Sequence, residues 1–194
     1  MSVPTKPLVV LVGPPGAGKT TVAGILAARL QVDVRDTDAD IVESEGSDVA
    51  DIFVDRGEPA FRELETRAVQ RALDEHAGVL ALGGGAVLHD DTRKALHGHR
   101  VVFLDVGLSQ AASRVGLNSS RPLLLGNVRS QVKALLDARR PVYVGVATHV
   151  VLTDGLAPEQ VAERIIELLD AGATGAGEDV RPTHETEPTD GEHP

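Results

Sequence analysis

The stretch GPPGAGKT, residues 13–20, follows directly on the apolar run LVVLV at 8–12. It fits the pattern G-x-x-x-x-G-K-[ST], which joins a strand to a helix through a glycine-rich loop. In such a loop the backbone N–H groups converge on an anion, and the N-terminus of the helix adds its partial positive charge. The stretch therefore predicts a site for the phosphates of a nucleoside triphosphate.

The residue types of this loop suit that task. Gly13, Gly16 and Gly18 let the backbone amides converge. Lys19 can reach the outer phosphates, and the Thr20 hydroxyl can ligate Mg²⁺, the expected cofactor. ATPases, GTPases and small-molecule kinases share the loop, so it does not name the phosphate acceptor. No lysine of the chain follows an asparagine, so the N-K-x-D segment that common GTPases use for guanine is absent, and the small size favours a kinase.

Apolar runs and helical patterns alternate along the chain. Continuous apolar runs typical of buried strands occur at 8–12, 32–34, 79–82, 101–106 and 149–152. Apolar residues at helical spacing occur at 19–30, 59–76, 127–138 and 158–170. This alternation predicts an α/β fold whose parallel sheet is covered by helices on both faces.

Composition restricts the class of protein. The chain has 194 residues, 42% of them apolar, which suits a single domain with a full core. It has no cysteine, which excludes disulfides and thiolate metal sites, and His97 and His99 lack a third metal ligand at useful spacing. The run at 8–12 is too short for a signal peptide or a membrane span, so we expect a cytoplasmic location and no membrane partner. The net charge of −10 argues against nucleic-acid binding.

Charge is distributed unevenly along the chain. Residues 171–194 hold six acidic residues and one basic residue and have little to bury, so we expect a disordered tail. Residues 106–136 hold no acidic residue but four basic ones, among them Arg121 in the loop GLNSSRPLLLG (116–126). An arginine that a closing loop brings over the γ-phosphate would stabilise phosphoryl transfer. The alternative is a solvated loop arginine.

Two polar clusters follow predicted strands. Asp36-Thr37-Asp38 ends the second strand, and Gly83-Gly84-Gly85 follows the third. Because the carboxyl ends of parallel strands line the ligand crevice, one aspartate can serve Mg²⁺ and the other can accept a hydrogen bond from an acceptor hydroxyl. The glycines can let a substrate approach and can donate N–H groups to it. The alternatives are a helix cap for 39–45 and a flexible connection.

Two further arginines are candidates for binding an anion. Arg62 and Glu65 are three residues apart on a predicted helix, so Glu65 can hold the Arg62 guanidinium in place. The alternative is a surface ion pair, which is worth little. Arg139, ahead of Pro141 and Tyr143, is ambiguous by itself. Two arginines aimed at one pocket would suit a substrate carboxylate, because a guanidinium offers paired donors.

Taken together, these motifs resemble those of shikimate kinase from about residue 8 to residue 169. The resemblance is carried by GPPGAGKT (13–20), DTDADIVE (36–43), DIFVDRGEPAFRELE (51–65), LGGGAV (82–87), RPLL (121–124) and RRPVY (139–143). It implies a P-loop fold of the nucleoside-monophosphate-kinase type, α/β in three layers around a central five-stranded parallel sheet. It also implies a catalytic domain over 1–170, with a substrate-binding region at about 37–65 and a lid at about 114–126, before the tail at 171–194.

The activity implied by the resemblance is transfer of the γ-phosphate of ATP to the 3-hydroxyl of shikimate in aromatic amino-acid biosynthesis, with Mg²⁺ and by a monomer. The resemblance assigns catalysis to Lys19, Asp38 and Arg121. It assigns ATP binding to Gly13, Gly16, Ala17, Gly18, Lys19, Thr20, Thr21, Arg114, Arg121 and Pro158. It assigns shikimate binding to Asp38, Arg62, Gly83, Gly84, Gly85 and Arg139, and the metal to Thr20 and Asp36. Residues 153–157 lack the basic residues of some relatives, so the contacts to adenine stay open.

Two alternatives remain at this stage. A gluconate-type sugar-acid kinase would also combine a phosphate loop with a carboxylate clamp. A nucleotide-binding regulator without catalysis would need no carboxylate that activates a hydroxyl. The presence of Lys19, Asp38 and Arg121 therefore argues against a regulator.

Overall fold

Five parallel strands form one sheet in the computed structural model, which describes residues 6–117 and 125–174. They are β1 (Val9–Val12), β2 (Val34–Asp36), β3 (Val79–Ala81), β4 (Val101–Asp105) and β5 (His149–Leu152). The order across the sheet is β2-β3-β1-β4-β5, and each pair of neighbours is parallel. The strand that leads into the phosphate loop is therefore the central one. The predicted five-stranded parallel sheet is confirmed.

Helices connect these strands. Within the described residues they are α1 (Lys19–Leu30), α2 (Thr37–Glu45), α3 (Val49–Glu75), α4 (Asp90–Ala95), α5 (Leu108–Leu117), α6 (Leu125–Val146) and α7 (Pro158–Thr174), with a 3₁₀ turn at Ala86–Leu88. None of the helices described is long and apolar enough to cross a membrane. The first helix, α1, has the bounds that the apolar spacing predicts.

The side chains of β1 alternate between two hydrophobic cores. Val9 and Leu11 pack in one core with residues of α1 and α7, among them Ile165. Val10 and Val12 pack in the other core with residues of α3 and α6. Because both faces of a central strand are completely buried, helices must cover both sides of the sheet, and the predicted three layers are confirmed.

Element bounds differ from the predicted ones at several elements, among them β2, α3 and α6. β2 occupies 34–36 and not 32–34, because its pairing with β3 begins at Val34 opposite Val79. α3 begins ten residues earlier than predicted and is interrupted at Gly57, where φ is 79°. α6 continues past Pro141 because Tyr143 is anchored in the core with 1% of its surface exposed.

The predicted tail and lid coincide only partly with described residues. α7 runs to Thr174, so the first four residues of the segment predicted to be disordered are helical. Residues 175–194 lie outside the described residues. In the predicted lid at 114–126, the ends belong to α5 and α6, and 118–124 lie outside the described residues.

Two leucines on the sheet provide a matched test of the core. Leu80 on β3 is completely buried, whereas Leu152 on β5 is 60% exposed. Leu80→Ala leaves a cavity, so we expect it to lower the free energy of unfolding by about 2–5 kcal/mol, and Leu152→Ala by about 0.5 kcal/mol at most. Urea denaturation followed by circular dichroism measures both changes. Equal losses would contradict the packing described for β3.

Candidate active site

The phosphate loop lies at the carboxyl end of β1, where α1 begins. Gly18 precedes α1 with φ 89°, and no side chain caps the first N–H groups of this helix. Gly13 has φ 151°, and a Cβ atom there would lie 2.7 Å from the carbonyl oxygen of Leu104, so glycine is required. The loop thus presents an uncapped helix N-terminus, which is the arrangement that binds phosphate.

Lys19 is folded back on this loop. Its Nζ donates hydrogen bonds to the carbonyl oxygens of Gly13 at 2.8 Å and Pro14 at 3.2 Å. Burial lowers the pKa of Lys19 to about 8, and three nearby carboxylates, Asp38 first, oppose the change. The ammonium group is therefore held by the loop itself and loses its proton in mildly alkaline solution.

Thr20 and Asp36 bring two oxygen donors together beside the loop. The Thr20 hydroxyl donates to Asp36 Oδ2 at 2.8 Å, and Asp36 Oδ1 accepts the N–H of Asp38 at 3.0 Å. Asp36 therefore caps α2, as the alternative interpretation expects, and also faces Thr20. Mg²⁺ usually takes one or two protein oxygens together with phosphate and water oxygens, so this pair fits it. Among the described residues there is no cluster of three or more His, Asp or Glu that could hold a metal ion.

The glycine turn at 83–85 packs so closely against other elements that a Cβ atom at any of its three residues would force a neighbouring group to move. A Cβ atom at Gly83 would collide with Asp38 Oδ1, and one at Gly85 would collide with the Arg62 guanidinium. A Cβ atom at Gly84 would lie 2.9 Å from Cδ of Pro15 in the phosphate loop. The turn therefore keeps Asp38, Arg62 and the phosphate loop in contact with three successive residues.

The N–H of Gly83 already has a hydrogen-bond partner within the protein. It donates to Thr37 Oγ1 at 3.0 Å, and Thr37 is completely buried. This hydrogen bond occupies the Gly83 N–H, whose role as a donor to substrate stays a prediction, and Thr37 emerges as the residue that fixes the turn. Sequence reasoning missed Thr37, although its position between two aspartates was a signal that could have found it.

Two partly or fully buried carboxyl groups face this turn. Burial is the main cause that raises the pKa of Asp38, Asp36 adds to the effect, and Lys19 and Arg62 oppose it. Burial also raises the pKa of Glu65, with Arg62 opposing. Both groups therefore keep their protons to a higher pH than exposed carboxyl groups do.

Arg62 on α3 binds two glutamates that differ in exposure. Nη1 donates to Glu65 Oε2 at 2.6 Å, and the Glu65 side chain is 3% exposed. Nη2 and Nε share Glu58 Oε1 at 3.0 and 3.3 Å, and the Glu58 side chain is 62% exposed. The rings of Phe53 and Phe61 each lie 5.6 Å from the Arg62 Cζ. Because Glu65 is buried, the interpretation of Arg62 and Glu65 as a surface ion pair is wrong.

Arg139 on α6 reaches the same glycine turn. Its Nη1 donates to the carbonyl oxygen of Gly84 at 3.3 Å, and the hydroxyl of Tyr143 donates to the same oxygen at 2.5 Å. Arg62 and Arg139, on helices far apart in sequence, therefore meet at adjacent residues of one turn. The role of Tyr143 was not predicted, although its spacing of four residues from Arg139 places both on one helix face.

A further arginine of α6 fixes this helix to the sheet. Arg140 Nη2 and Nε donate to Asp105 Oδ2 at 2.7 and 3.1 Å, and Asp105 ends β4 beside the phosphate loop. The carbonyl oxygen of Asp105 in turn accepts hydrogen bonds from the N–H and the hydroxyl of Thr153. This pair was missed, because nothing in the sequence connects two residues 35 positions apart.

Some predicted nucleotide residues lie behind the phosphate loop. Pro158, the first residue of α7, lines a cavity of about 200 Å³ together with Ala17, Gly18 and Thr21. Arg121 lies outside the described residues, and Arg114 belongs to α5 but its side chain is not among those described. Of the residues predicted to bind the nucleotide, the structure thus brings Ala17, Gly18, Thr21 and Pro158 together around one cavity.

A larger cavity, of about 810 Å³, lies between α4 and the end of α6. His97 and His99 line it, in the turn that precedes β4 and therefore at the edge of the sheet opposite the phosphate loop. None of the residues predicted to bind phosphate or substrate contributes to it. The chemistry of the lining residues, and not cavity size, therefore identifies the candidate site.

Comparison with known proteins agrees with this geometry. Residues 15–170 match the family model for shikimate kinase. The chain belongs to the shikimate kinase family. Curated shikimate kinases of Streptomyces avermitilis and Thermobifida fusca are 56% and 55% identical to it, over 86% of this chain and 97% of each relative. A solved structure, shikimate kinase from Acinetobacter baumannii in complex with shikimate, has a TM-score of 0.81 and 33% identity over 88% of this chain and 96% of that one.

Membership of the shikimate kinase family confirms the resemblance seen in the motifs. It makes the chain a P-loop kinase, and the parallel sheet is shared with solved shikimate kinases. The roles of individual residues rest on the contacts described above and on their chemistry.

The lowered pKa of Lys19 predicts how nucleotide binding depends on pH. As the pH rises through about 8, the free protein loses the Lys19 charge, so binding of phosphates then requires uptake of a proton. We expect the affinity for ATP, measured by isothermal titration calorimetry, to be constant near neutral pH and to fall above about pH 8. Lys19→Arg, which keeps its charge, should remove this fall. A constant wild-type affinity far into the alkaline range would contradict the lowered pKa.

Proposed function

We propose that this chain transfers the γ-phosphate of ATP to the 3-hydroxyl of shikimate, giving shikimate 3-phosphate and ADP in aromatic amino-acid biosynthesis. The observation that carries the proposal is the meeting of Arg62 and Arg139 at the turn 83–85, beside the phosphate loop. Paired guanidinium groups suit a carboxylate, and the loop suits the phosphates of the donor. The relative from Acinetobacter baumannii, solved in complex with shikimate, supports this acceptor.

ATP would occupy the phosphate loop and the cavity behind it. Its outer phosphates would accept N–H groups of the loop and of α1, and Lys19 would exchange its two carbonyl partners for phosphate oxygens. The base would enter the cavity lined by Thr21 and Pro158. Arg114 as an adenine contact and Arg121 as the arginine over the γ-phosphate complete the proposal.

Thr20 and Asp36 would hold Mg²⁺. Their two oxygens lie 2.8 Å apart at the start of α1, next to the place proposed for the phosphates. Bound there, the ion supplies positive charge that offsets the charge of the phosphates. The hydrogen bond from the Asp38 N–H keeps the Asp36 carboxylate oriented toward Thr20.

Shikimate would bind between the two arginines and Asp38. Its carboxylate matches the donors of Arg62 and Arg139, and its three ring hydroxyls match Asp38 and the N–H groups of Gly84 and Gly85. Asp38 lies close enough to Lys19 for each to shift the pKa of the other, so a hydroxyl bonded to Asp38 faces the phosphate loop.

Phosphoryl transfer leaves the protein mainly with positioning and charge stabilisation. Asp38 would orient the acceptor hydroxyl and receive its proton as the phosphate is transferred, a task for which its raised pKa is suited. Lys19 would stay beside the transferred phosphate and offset its negative charge. The buried carboxylate of Glu65 would keep Arg62 in place throughout.

We assign this activity to residues 1–170, which contain the whole described sheet and both of its cores. Within them, the region at about 37–65 would bind the acceptor and the segment at about 114–126 would close over the nucleotide as a lid. Residues 171–194 would act as a tail with no part in the reaction. We further propose that the protein works in the cytoplasm as a monomer.

An assay of two acceptors side by side tests the proposal. ATP-dependent phosphorylation is measured with shikimate and with gluconate, which both carry a carboxylate and hydroxyls. We expect turnover of shikimate and little of gluconate. Turnover of gluconate alone would replace the proposal by a sugar-acid kinase, and ATP binding without turnover of either would favour a regulator.

Substitution of Arg139 separates acceptor binding from nucleotide binding. Because Arg139 reaches the glycine turn and makes no contact with the phosphate loop among its described hydrogen bonds, Arg139→Ala should raise the KM for shikimate about ten- to a hundredfold. The KM for ATP should change little. Arg164→Ala, on the exposed side of α7, removes the same charge and should leave both constants unchanged. Equal losses of affinity for both substrates would indicate a folding defect instead.

A further inference from the structure

Glu58 occupies the edge of Arg62 that remains for a substrate carboxylate. A guanidinium has a fork of N–H groups that can bind carboxylates on more than one edge. The Nη1 group is already committed to the buried Glu65 at 2.6 Å. The Nε and Nη2 groups form the other edge, and both point to one oxygen of Glu58, at 3.3 and 3.0 Å. An incoming carboxylate therefore meets an arginine that an internal carboxylate already holds.

The contact with Glu58 can be given up at low cost. A single oxygen serves both N–H groups, and both distances are longer than the one to Glu65. The Glu58 side chain is 62% exposed, so after release its carboxylate is solvated again. Exposed ion pairs of this kind contribute little stability, whereas breaking a buried pair is costly. Of the two glutamates, only Glu58 suits exchange with a ligand.

Glu58 lies directly after a break in α3. Gly57, with φ 79° and ψ 166°, interrupts α3 just before Glu58, and Pro59 follows. Glu58 thus stands at the start of the second helical segment, one turn ahead of Arg62, with its side chain directed along the surface to the guanidinium. Because the Glu58 side chain is mostly exposed, its carboxylate can leave Arg62 by rotation of the side chain into solvent.

We propose that Glu58 is an internal competitor for the acceptor carboxylate. It neutralises Arg62 until the acceptor displaces it, and it therefore sets the affinity of the site. Ligands without a carboxylate cannot make this exchange, so Glu58 also selects for acids. The inference rests on the proposed function, because it takes the displacing group to be the carboxylate of shikimate.

Three substitutions on α3 test the competition. Glu58→Gln removes the charge that competes, so the KM for shikimate should fall about two- to fivefold, with kcat and the KM for ATP unchanged. Glu58→Asp keeps the charge but is too short to retain the same contact, so it should lower the KM for shikimate in the same direction. Glu63→Gln removes an equal charge from an exposed position of the same helix and should change nothing. Steady-state kinetics and thermal unfolding are measured for all four proteins.

Several results would overturn the inference while leaving the proposed function intact. A raised KM for shikimate in Glu58→Gln would mean that Glu58 supports Arg62 and does not compete. A lowered KM in Glu58→Gln with a wild-type KM in Glu58→Asp would mean that the negative charge at position 58 acts at a distance. Direct contact with Arg62 would then not be the cause. An unchanged KM in both variants would mean that Glu58 has no role in acceptor binding. A loss of thermal stability in both would mean that its role is structural. Absence of shikimate turnover in the wild-type protein would instead defeat the proposed function itself.

Discussion

The close packing of the glycine turn at 83–85 is the constraint on which the site depends. Each of its three residues approaches a different element so closely that a Cβ atom would displace it: Asp38 of α2, Pro15 of the phosphate loop and Arg62 of α3. The hydroxyls of Thr37 and Tyr143 then fix the turn, at the N–H of Gly83 and the carbonyl oxygen of Gly84. Contacts with this one short turn therefore fix the positions of α2, the phosphate loop and α3 relative to one another.

The charges of the site are balanced before any ligand binds. Lys19, Arg62 and Arg139 lie near Asp36, Asp38 and Glu65, and the two of these carboxyl groups that burial desolvates have raised pKa values. Burial alone would make these ions costly, and Lys19, Asp36, Arg62, Glu65 and Arg139 are each held by a hydrogen-bond partner. Negative groups of incoming ligands can then exchange with internal partners of these cations. The cationic side chains of the site thus have partners both before and after a ligand binds.

Local patterns in the sequence predicted the framework, whereas contacts between distant residues set the details. The glycines and lysine of the loop, the bounds of α1 and the apolar strands follow from short-range rules, so they could be predicted. The start of β2 depends on its pairing with β3, and the continuation of α6 past Pro141 depends on the burial of Tyr143. Neither is a local property. The hydrogen bonds of Thr37 with Gly83 and of Arg140 with Asp105 join residues 46 and 35 positions apart, and no spacing rule reaches that far.

Arg62 marks the limit of spacing arguments most clearly. Glutamates precede it by four residues and follow it by three, and either spacing places a carboxylate on the same helix face. Only the fold distinguishes them, because the turn at 83–85 covers Glu65 and leaves Glu58 in solvent. One carboxylate thereby becomes a fixed support of the arginine and the other an exchangeable partner.

In the proposed mode of binding, the two substrates would be served by opposite layers of the fold. The cavity lined by Thr21 and Pro158 belongs to α1 and α7, which cover the face of β1 that carries Val9 and Leu11. The acceptor residues Arg62 and Arg139 come from α3 and α6, which cover the other face. Since the phosphate loop leaves the tip of β1 between these layers, the donor and the acceptor would approach the transferred phosphate from different sides. In-line displacement requires attacking and leaving oxygens on opposite sides of the phosphorus, and the proposed placement of donor and acceptor is compatible with that requirement.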